Sequence, residues 1–233
     1  EQTANKRFKT DSQRVAFLPC VNLVIWVVCG NIVLRCSPLK RALVGRGNML
    51  EHQLEKLIRN TPELMETAQA CIEVGLPDYF IASGSVTQLI WNSLSGERPL
   101  KNVKDFDIVY FDNASTSNEE SYSSGINSIV KHEIPIDVVN QARVHEWYPH
   151  RFGQTIPAYT KVEQGIDSWL SAFAIGFRLN SNGTMRIYSP YGLPDAFNKR
   201  VKPNPIAMTR ESYNQMGGGY RKRWPDITVE PWE

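Results

Sequence analysis

The sequence predicts an α/β domain from residue 49 onward, preceded by an N-terminal extension of different character. Three observations point that way. Short apolar runs bounded by Gly, Pro and Asp alternate with stretches in which apolar residues recur every three or four positions. A strand, a glycine turn and a helix start follow one another directly at residues 79–86. Residues 1–48 share neither pattern, being basic at both ends and apolar between.

Within the extension, residues 15–34 run for twenty positions without a charge, sixteen of them apolar, between Arg14 and Arg35. That length can span a bilayer. Pro19, Asn22, Gly30 and Asn31 interrupt it, and basic residues flank both sides. A membrane anchor, a buried apolar segment and a signal sequence therefore all fit, and the last lacks a clear small-residue cleavage pattern. The expected location is cytoplasmic, with membrane association through 15–34 as the alternative.

From Met49 the elements can be taken in order. Leu50, Leu54, Leu57 and Ile58 fall at helical spacing. Asn60-Thr61-Pro62-Glu63 then offers a cap with Pro at the first helical position, so a second helix is predicted over 62–74, stopped by Gly75 and Pro77. Residues 79–83 form a compact apolar strand ending at Gly84-Ser85, and VTQLIWNSL follows as a helix closed at Gly96. A helix start of this kind presents unpaired backbone N–H groups, a natural seat for phosphate oxygens.

The next strand, 104–112, carries the strongest signal. Side chains alternate faces along a strand, so Asp105 and Asp107 project from one side and Phe106 and Ile108 from the other. Two like charges aimed at one point favour a cation between them, and hard oxygen ligands favour Mg²⁺ or Mn²⁺. Ile134-Pro135-Ile136-Asp137-Val138-Val139 reads as another apolar strand with one acid in its middle. If it pairs beside the Asp105 strand, three carboxylates converge. A phosphate-cradling turn, a D-x-D strand and a third acid are what metal-dependent nucleotidyl transfer needs.

Further along, the Ser/Asn-rich stretch SNEESYSSG opens a helix, and a strand at 185–189 precedes a short helix near Pro194. Directly after the third acid, Gln141 and His145 are expected to share a helix face, with Arg143 elsewhere. Arg143 or His145 can touch a phosphate or an acceptor, or simply tether the helix. Trp91, Trp147, Trp169, Trp224 and Trp232 stand mostly in apolar surroundings, which favours core packing over base stacking.

Composition sets the outer limits. The chain has 233 residues, 42% of them apolar and 21% charged, which fits one globular domain with an appendage and excludes collagen-like, disordered and disulfide-scaffold classes. Cys20, Cys29, Cys36 and Cys71 contain no C-x-x-C and are expected to be reduced, buried apolar residues. Net charge is +2, yet it is distributed as +6 over residues 1–50, −7 over 51–198, +6 over 199–223 and −3 over 224–233. An acidic middle between basic flanks suits a carboxylate site that attracts a phosphate-bearing partner. Lys199, Arg200 and Lys202, with Arg221, Lys222 and Arg223, either line a groove for an anionic acceptor or are solvated surface.

The order Gly84-Ser85, Asp105-x-Asp107 and Asp137 resembles the signature of the DNA polymerase β-like nucleotidyltransferase superfamily. More narrowly, LPDYFIASGSVTQLIWNSLSG, KDFDIVYFD, IDVVNQARVHEWY, IYSPYGLPDAF and VKPNP are similar to successive blocks of a nucleotidyltransferase-like family found in bacteria and fungi. The resemblance covers roughly residues 50–233 and leaves 1–48 without a counterpart. It implies a mixed β-sheet flanked by helices. It also implies that Asp105 and Asp107 bind Mg²⁺ or Mn²⁺, that Asp137 completes the site and handles the acceptor hydroxyl, and that Gly84 and Ser85 hold the triphosphate. The implied reaction moves a nucleoside monophosphate from an NTP to a hydroxyl, with release of pyrophosphate. The acceptor is RNA, a protein or a small molecule; a nucleotide-binding module without turnover is the alternative. Nineteen residues separate Ser85 from Asp105, longer than the superfamily's usual gap.

Overall fold

A computed structural model describes residues 38–114 and 119–232 of the chain, with side chains from Met49. The chain divides into two units between Arg46 and Gly47, and the five-stranded sheet belongs to the second. The apolar run at 15–34, together with Cys20, Cys29 and Cys36, lies outside the described residues. Among the described residues no helix is long and apolar enough to cross a membrane.

Helix α1 (Pro38–Arg59) buries Leu54 and Ile58, two of the positions whose spacing predicts it. Pro62 cannot continue that helix and instead opens α2 (Pro62–Glu73). The expected Thr61 side-chain cap does not form. Its hydroxyl donates back to the Leu57 carbonyl at 2.9 Å, and only its backbone carbonyl serves α2, accepting from the Met65 N–H. Gly75, at φ +67°, ends the segment.

Strands β1 (Tyr79–Ala82), β2 (Phe106–Tyr110), β3 (Ile136–Asn140), β4 (Gly176–Leu179) and β5 (Met185–Tyr188) form one sheet in the order β3-β2-β1-β4-β5. The β2–β3 pair is parallel and the other three pairs are antiparallel, so the sheet is mixed as expected. Helix α3 (Gly84–Leu94) connects β1 to β2, and α4 (Glu119–Ile129) makes the crossover that a parallel β2–β3 pair requires. Helices α5 (Val144–Phe152) and α6 (Glu163–Asp167) follow β3, and α7 (Pro194–Phe197) follows β5. The chain closes with β6 (Arg200–Val201), α8 (Arg210–Arg223) and β7 (Thr228–Val229), β6 and β7 pairing in parallel.

Strand alternation divides the interior in two. Tyr79, Ile81, Phe106, Ile108 and Tyr110 point into the main core with the helices α1 to α4, whereas Phe80, Ala82 and Val109 point to the opposite face, where they meet Val162, Ile166 and Ala174. This second cluster is small. It leaves the β2–β3 end of that face uncovered by helix core, and the functional cleft lies there.

The main core is fastened at one end by aromatic rings. Trp91, fully buried on α3, meets Phe173, Tyr220 and Trp224 with ring centroids 5.2–5.8 Å apart and steep interplanar angles, and its Nε1–H donates to the Ala196 carbonyl. Beside it, Asn92 Nδ2 donates to the carbonyls of Pro99 and Lys101 while its Oδ1 accepts from Trp224 Nε1. Those bonds fold the long 95–105 segment back onto the domain, which is how the wide gap before Asp105 is accommodated.

The basic flank is largely consumed by structure. Lys199 is buried and bonded to Ser95 and Asp226, Lys202 pairs with Asp195 at 2.9 Å and Arg200 lies 3.4 Å from Glu230. Arg221 donates to the Val229 carbonyl, and the Arg223 guanidinium stacks over Tyr220 and Trp224. These side chains tie the C-terminal segment to the domain.

Candidate active site

The site is built where three elements meet. Antiparallel pairing sets Ala82 opposite Asp107, and parallel pairing sets Asp137 on the other side of Asp107. Paired residues on neighbouring strands lie about 5 Å apart at their Cα atoms, so Asp107 and Asp137 share one face at one level. Asp105 stands two residues earlier, just before the strand begins, and its charge reaches Asp107. Asp105 and Asp137 are exposed and Asp107 is half-buried.

Asp107 is the electrostatic centre. Burial, reinforced by the neighbouring charges of Asp105 and Asp137, pushes its carboxyl from the ordinary 3.8 up to about 7. Hydrogen bonds from the Gly84 N–H and the Ser83 hydroxyl pull the other way without winning. Among the described residues no three His, Cys, Asp or Glu side chains stand close enough together to form a ready metal site. The three acids are thus neighbours in the fold rather than a closed ligand shell.

The raised value fixes a pH dependence. Below about 4 both folded and unfolded states hold the proton. Between about 4 and 7 the unfolded chain gives it up while the folded chain keeps it, so this group's contribution to stability falls as pH rises, reaching its full cost above 7. Asp107→Asn, which mimics the protonated group, is expected to raise Tm by a few degrees at pH 8 and to match the wild type near pH 4, as thermal melts across that range would read.

The turn between β1 and α3 differs from the sequence expectation in one residue. Ser85 is completely buried and its Oγ donates to the Ala82 carbonyl at 2.9 Å, so its hydroxyl does not face the carboxylates. Ser83 does. It lies in the left-handed region at φ 60°, costly for a residue other than glycine, and this conformation turns its hydroxyl to Asp107 and into the cleft. Nothing in the sequence singles out Ser83, which stands at the end of a strand where no local pattern marks a positive φ. Gly84 permits a close approach: a Cβ there would lie 2.8 Å from Gln88 Nε2 and 3.9 Å from Asp107 Oδ2. The Gln88 Oε1 next to this turn is buried without a partner. We expect Ser83→Ala to weaken binding of an NTP with Mg²⁺ several-fold in calorimetry. Ser85→Ala should leave affinity within about twofold while costing about 1 kcal/mol of stability for the lost buried bond.

From Asp107 and Asp137 a cleft of about 320 Å³ runs over Val109 and Val139 towards α5, α8 and the residues around α6. Trp147, Tyr148, Phe152, Tyr159 and Trp169 line it. The expectation that the tryptophans pack in the core therefore holds for Trp91 and Trp224, and for Trp232, which packs on the main core from its edge; Trp169 packs against the second cluster while also lining the cleft, and Trp147 lines the cleft alone. Burial raises the Tyr148 and Tyr159 phenols above their ordinary range, so both stay neutral. Tyr148 hydrogen-bonds the Ala207 carbonyl and so fastens the loop before α8 to α5.

Gln141 lies in the turn before α5 rather than on it, and its buried side chain presses on Gly165, where a Cβ would overlap it. It lines the cleft; His145 and Arg143, the other two candidates after the third acid, do not. Arg143 is within 3.8 Å of Glu146, and His145 Nδ1 is buried without a partner.

A mixed sheet with two paired aspartates at the mouth of a helix N-terminus, opening on an aromatic cleft, defines a nucleotidyltransferase head fold. The same fold is found in a solved NMR structure described as revealing a CCA-adding enzyme head domain, to which this chain is 24% identical with a TM-score of 0.63, over 78% of this chain and 96% of that one. Residues 69–229 match the nucleotidyltransferase family, and the chain belongs to it. Its class of activity is transfer of a nucleoside monophosphate. No curated protein matches the chain.

Proposed function

We propose that this cleft binds an NTP with Mg²⁺ or Mn²⁺ and transfers its nucleoside monophosphate to a hydroxyl of an RNA, a protein or a small molecule, releasing pyrophosphate. The observation that supports this most is the register Ala82–Asp107–Asp137 across three strands, with Asp107 bonded to the first residue of α3. The donor set fits a hard divalent cation: three carboxylate-bearing residues, one of them holding its proton to about 7 through burial first and its acidic neighbours second. Asp105, Asp107 and Asp137 would hold the ion. When bound it would neutralise the triphosphate and stabilise the leaving pyrophosphate.

The chain's own groups would do the rest. The Ser85 N–H in the first turn of α3 would receive a phosphate oxygen, since the first turn of a helix leaves such groups without intrahelical acceptors, while Gly84, whose own N–H donates to Asp107, would hold that carboxylate beside the phosphate. Ser83 would hold Asp107 in place. Asp137, exposed and at the same level as Asp107, would accept the proton of the acceptor hydroxyl as it attacks the α-phosphate.

The test is calorimetric titration of the full chain with each of the four NTPs, with and without Mg²⁺, on the wild type and on Asp105→Asn/Asp107→Asn, followed by pyrophosphate release with candidate acceptors. Metal-dependent binding lost in the double variant, with release in the wild type, is expected. Binding that never yields pyrophosphate would make the chain a nucleotide-binding module, and absence of binding by a folded chain would overturn the site.

A further inference from the structure

Helix α8 carries a run of residues that a helix ordinarily avoids. Gly217, Gly218 and Gly219 follow one another in its second half, and each glycine in a helix interior costs about fivefold in helix formation against alanine. Gly217 has a packing reason: a Cβ there would lie 2.8 Å from Val229 Cγ1. The next two have none. A Cβ on Gly218 or Gly219 would meet no atom of the described residues within 4 Å, and neither takes a positive φ that would disfavour a side chain. With neither a steric nor a backbone demand for glycine at these two positions, what they supply is freedom of the chain.

The helix is held differently on the two sides of them. After the glycines, Tyr220 stacks on Phe173 with centroids 4.6 Å apart, and Trp224 packs 5.2 Å from Trp91 while donating its Nε1–H to Asn92. Both rings belong to the main core. Before the glycines, Tyr213 is the only buried residue of 210–216. Its hydroxyl lies 3.0 Å from the Val201 carbonyl and 2.6 Å from the Glu230 carbonyl. One O–H proton serves two acceptors there, so a small rotation about this point passes the bond from one to the other instead of losing it.

The loosely held part is a wall of the cleft. Ala207, Met208, Thr209, Ser212 and Met216 line it, and outside it Ile206 is 55% exposed. The wall is pinned at its start by Asn204, which is buried and donates to the carbonyls of Asp167 and Trp169. From α5 the Tyr148 hydroxyl reaches over to bond the Ala207 carbonyl.

We propose that residues 205–216 are a gate, which rocks on Tyr213 about a hinge at Gly218-Gly219 and is latched over the cleft by Tyr148. Opening widens the cleft along α8 for entry and release, and closure returns Ser212 and Met216 to its lining. The motion follows from the glycines and the anchors, whereas its role in turnover rests on the reading of the cleft as a nucleotidyl-transfer site.

Hydrogen exchange and pyrophosphate release are measured on the full chain as wild type, as Gly218→Ala/Gly219→Ala and as Tyr148→Phe. In the wild type the amides of 214–217 are expected to exchange at least about tenfold faster than those of 221–224. Alanine fits at both glycines without a clash, so the double variant should fold with a higher Tm. It should slow exchange over 214–217 about tenfold and lower kcat several-fold, with KM near that of the wild type. A merely structural effect of alanine would raise Tm and leave kcat alone. Tyr148→Phe should shift exchange the other way, speeding it several-fold over 206–209. Equal exchange on the two sides of the glycines in the wild type, or exchange that ignores the alanine pair, overturns the hinge. Slower exchange with an unchanged kcat overturns the gate. If the wild type releases no pyrophosphate with any acceptor, the nucleotidyl-transfer reading falls, and the exchange rates by themselves decide whether the wall rocks.

Discussion

Asp107→Asn is expected to lower pyrophosphate release by at least about a thousand-fold, some 4 kcal/mol of transition-state stabilisation, while leaving the domain folded. Asp107 is the residue on which every other group of the site converges: Gly84 and Ser83 donate to it, Asp137 is its paired neighbour, and Asp105 repels it from along the chain. Asn keeps the shape and loses the charge that a divalent cation requires. A merely structural aspartate would behave differently, since its replacement would cost stability. Here the carboxyl is held up to about 7 by burial and like charge, so the neutral amide should relieve the fold at neutral pH. Loss of turnover together with an unchanged or higher Tm is the signature that pyrophosphate assays and thermal melts on the same preparation should show. Wild-type turnover in the folded variant would remove Asp107 from the chemistry.

The largest effect on stability is expected at Trp91. Trp91→Ala removes a fully buried ring that packs against Phe173, Tyr220 and Trp224, and it leaves the Ala196 carbonyl without its donor. Deletions of this kind cost about 3–5 kcal/mol, which in a domain of this size lowers Tm by roughly 10 °C or more. The damage should spread to the C-terminal segment, because Tyr220 and Trp224 belong to α8 and its end and have Trp91 as a common partner. Trp91→Phe retains much of the packing and loses the Nε1–H bond, so it should cost about 1–2 kcal/mol. Denaturant unfolding of the two variants gives both values, and equal losses would mean that the hydrogen bond rather than the ring holds this end together.

Much of this architecture was legible from local pattern. The alternation of Asp105, Phe106, Asp107 and Ile108 put acids on one face and core on the other, because strand geometry repeats every two residues whatever the strand pairs with. Gly75 and Gly96 marked helix ends through the positive φ that such ends adopt. The strand-turn-helix order at residues 79–86 marked the helix start beside which Asp107 is bonded. In these cases the signal lies within a few residues, and so does its cause.

What the tertiary structure decided depends on partners distant in the chain. The adjacency of Asp107 and Asp137 follows from parallel pairing across some thirty residues and a helical crossover, and no spacing along the chain reports it. The choice of Ser83 over Ser85 as the hydroxyl facing the acids turned on a single positive φ at the β1–α3 junction. Trp147 and Trp91 both stand on helices, yet one lines the cleft and the other fills the core. Lys199, Lys202 and Arg223 read as a basic flank and are spent on Asp226, Asp195 and aromatic rings. Local sequence sets the direction a side chain takes from its own backbone; what it meets there is set by which other segment packs against that face.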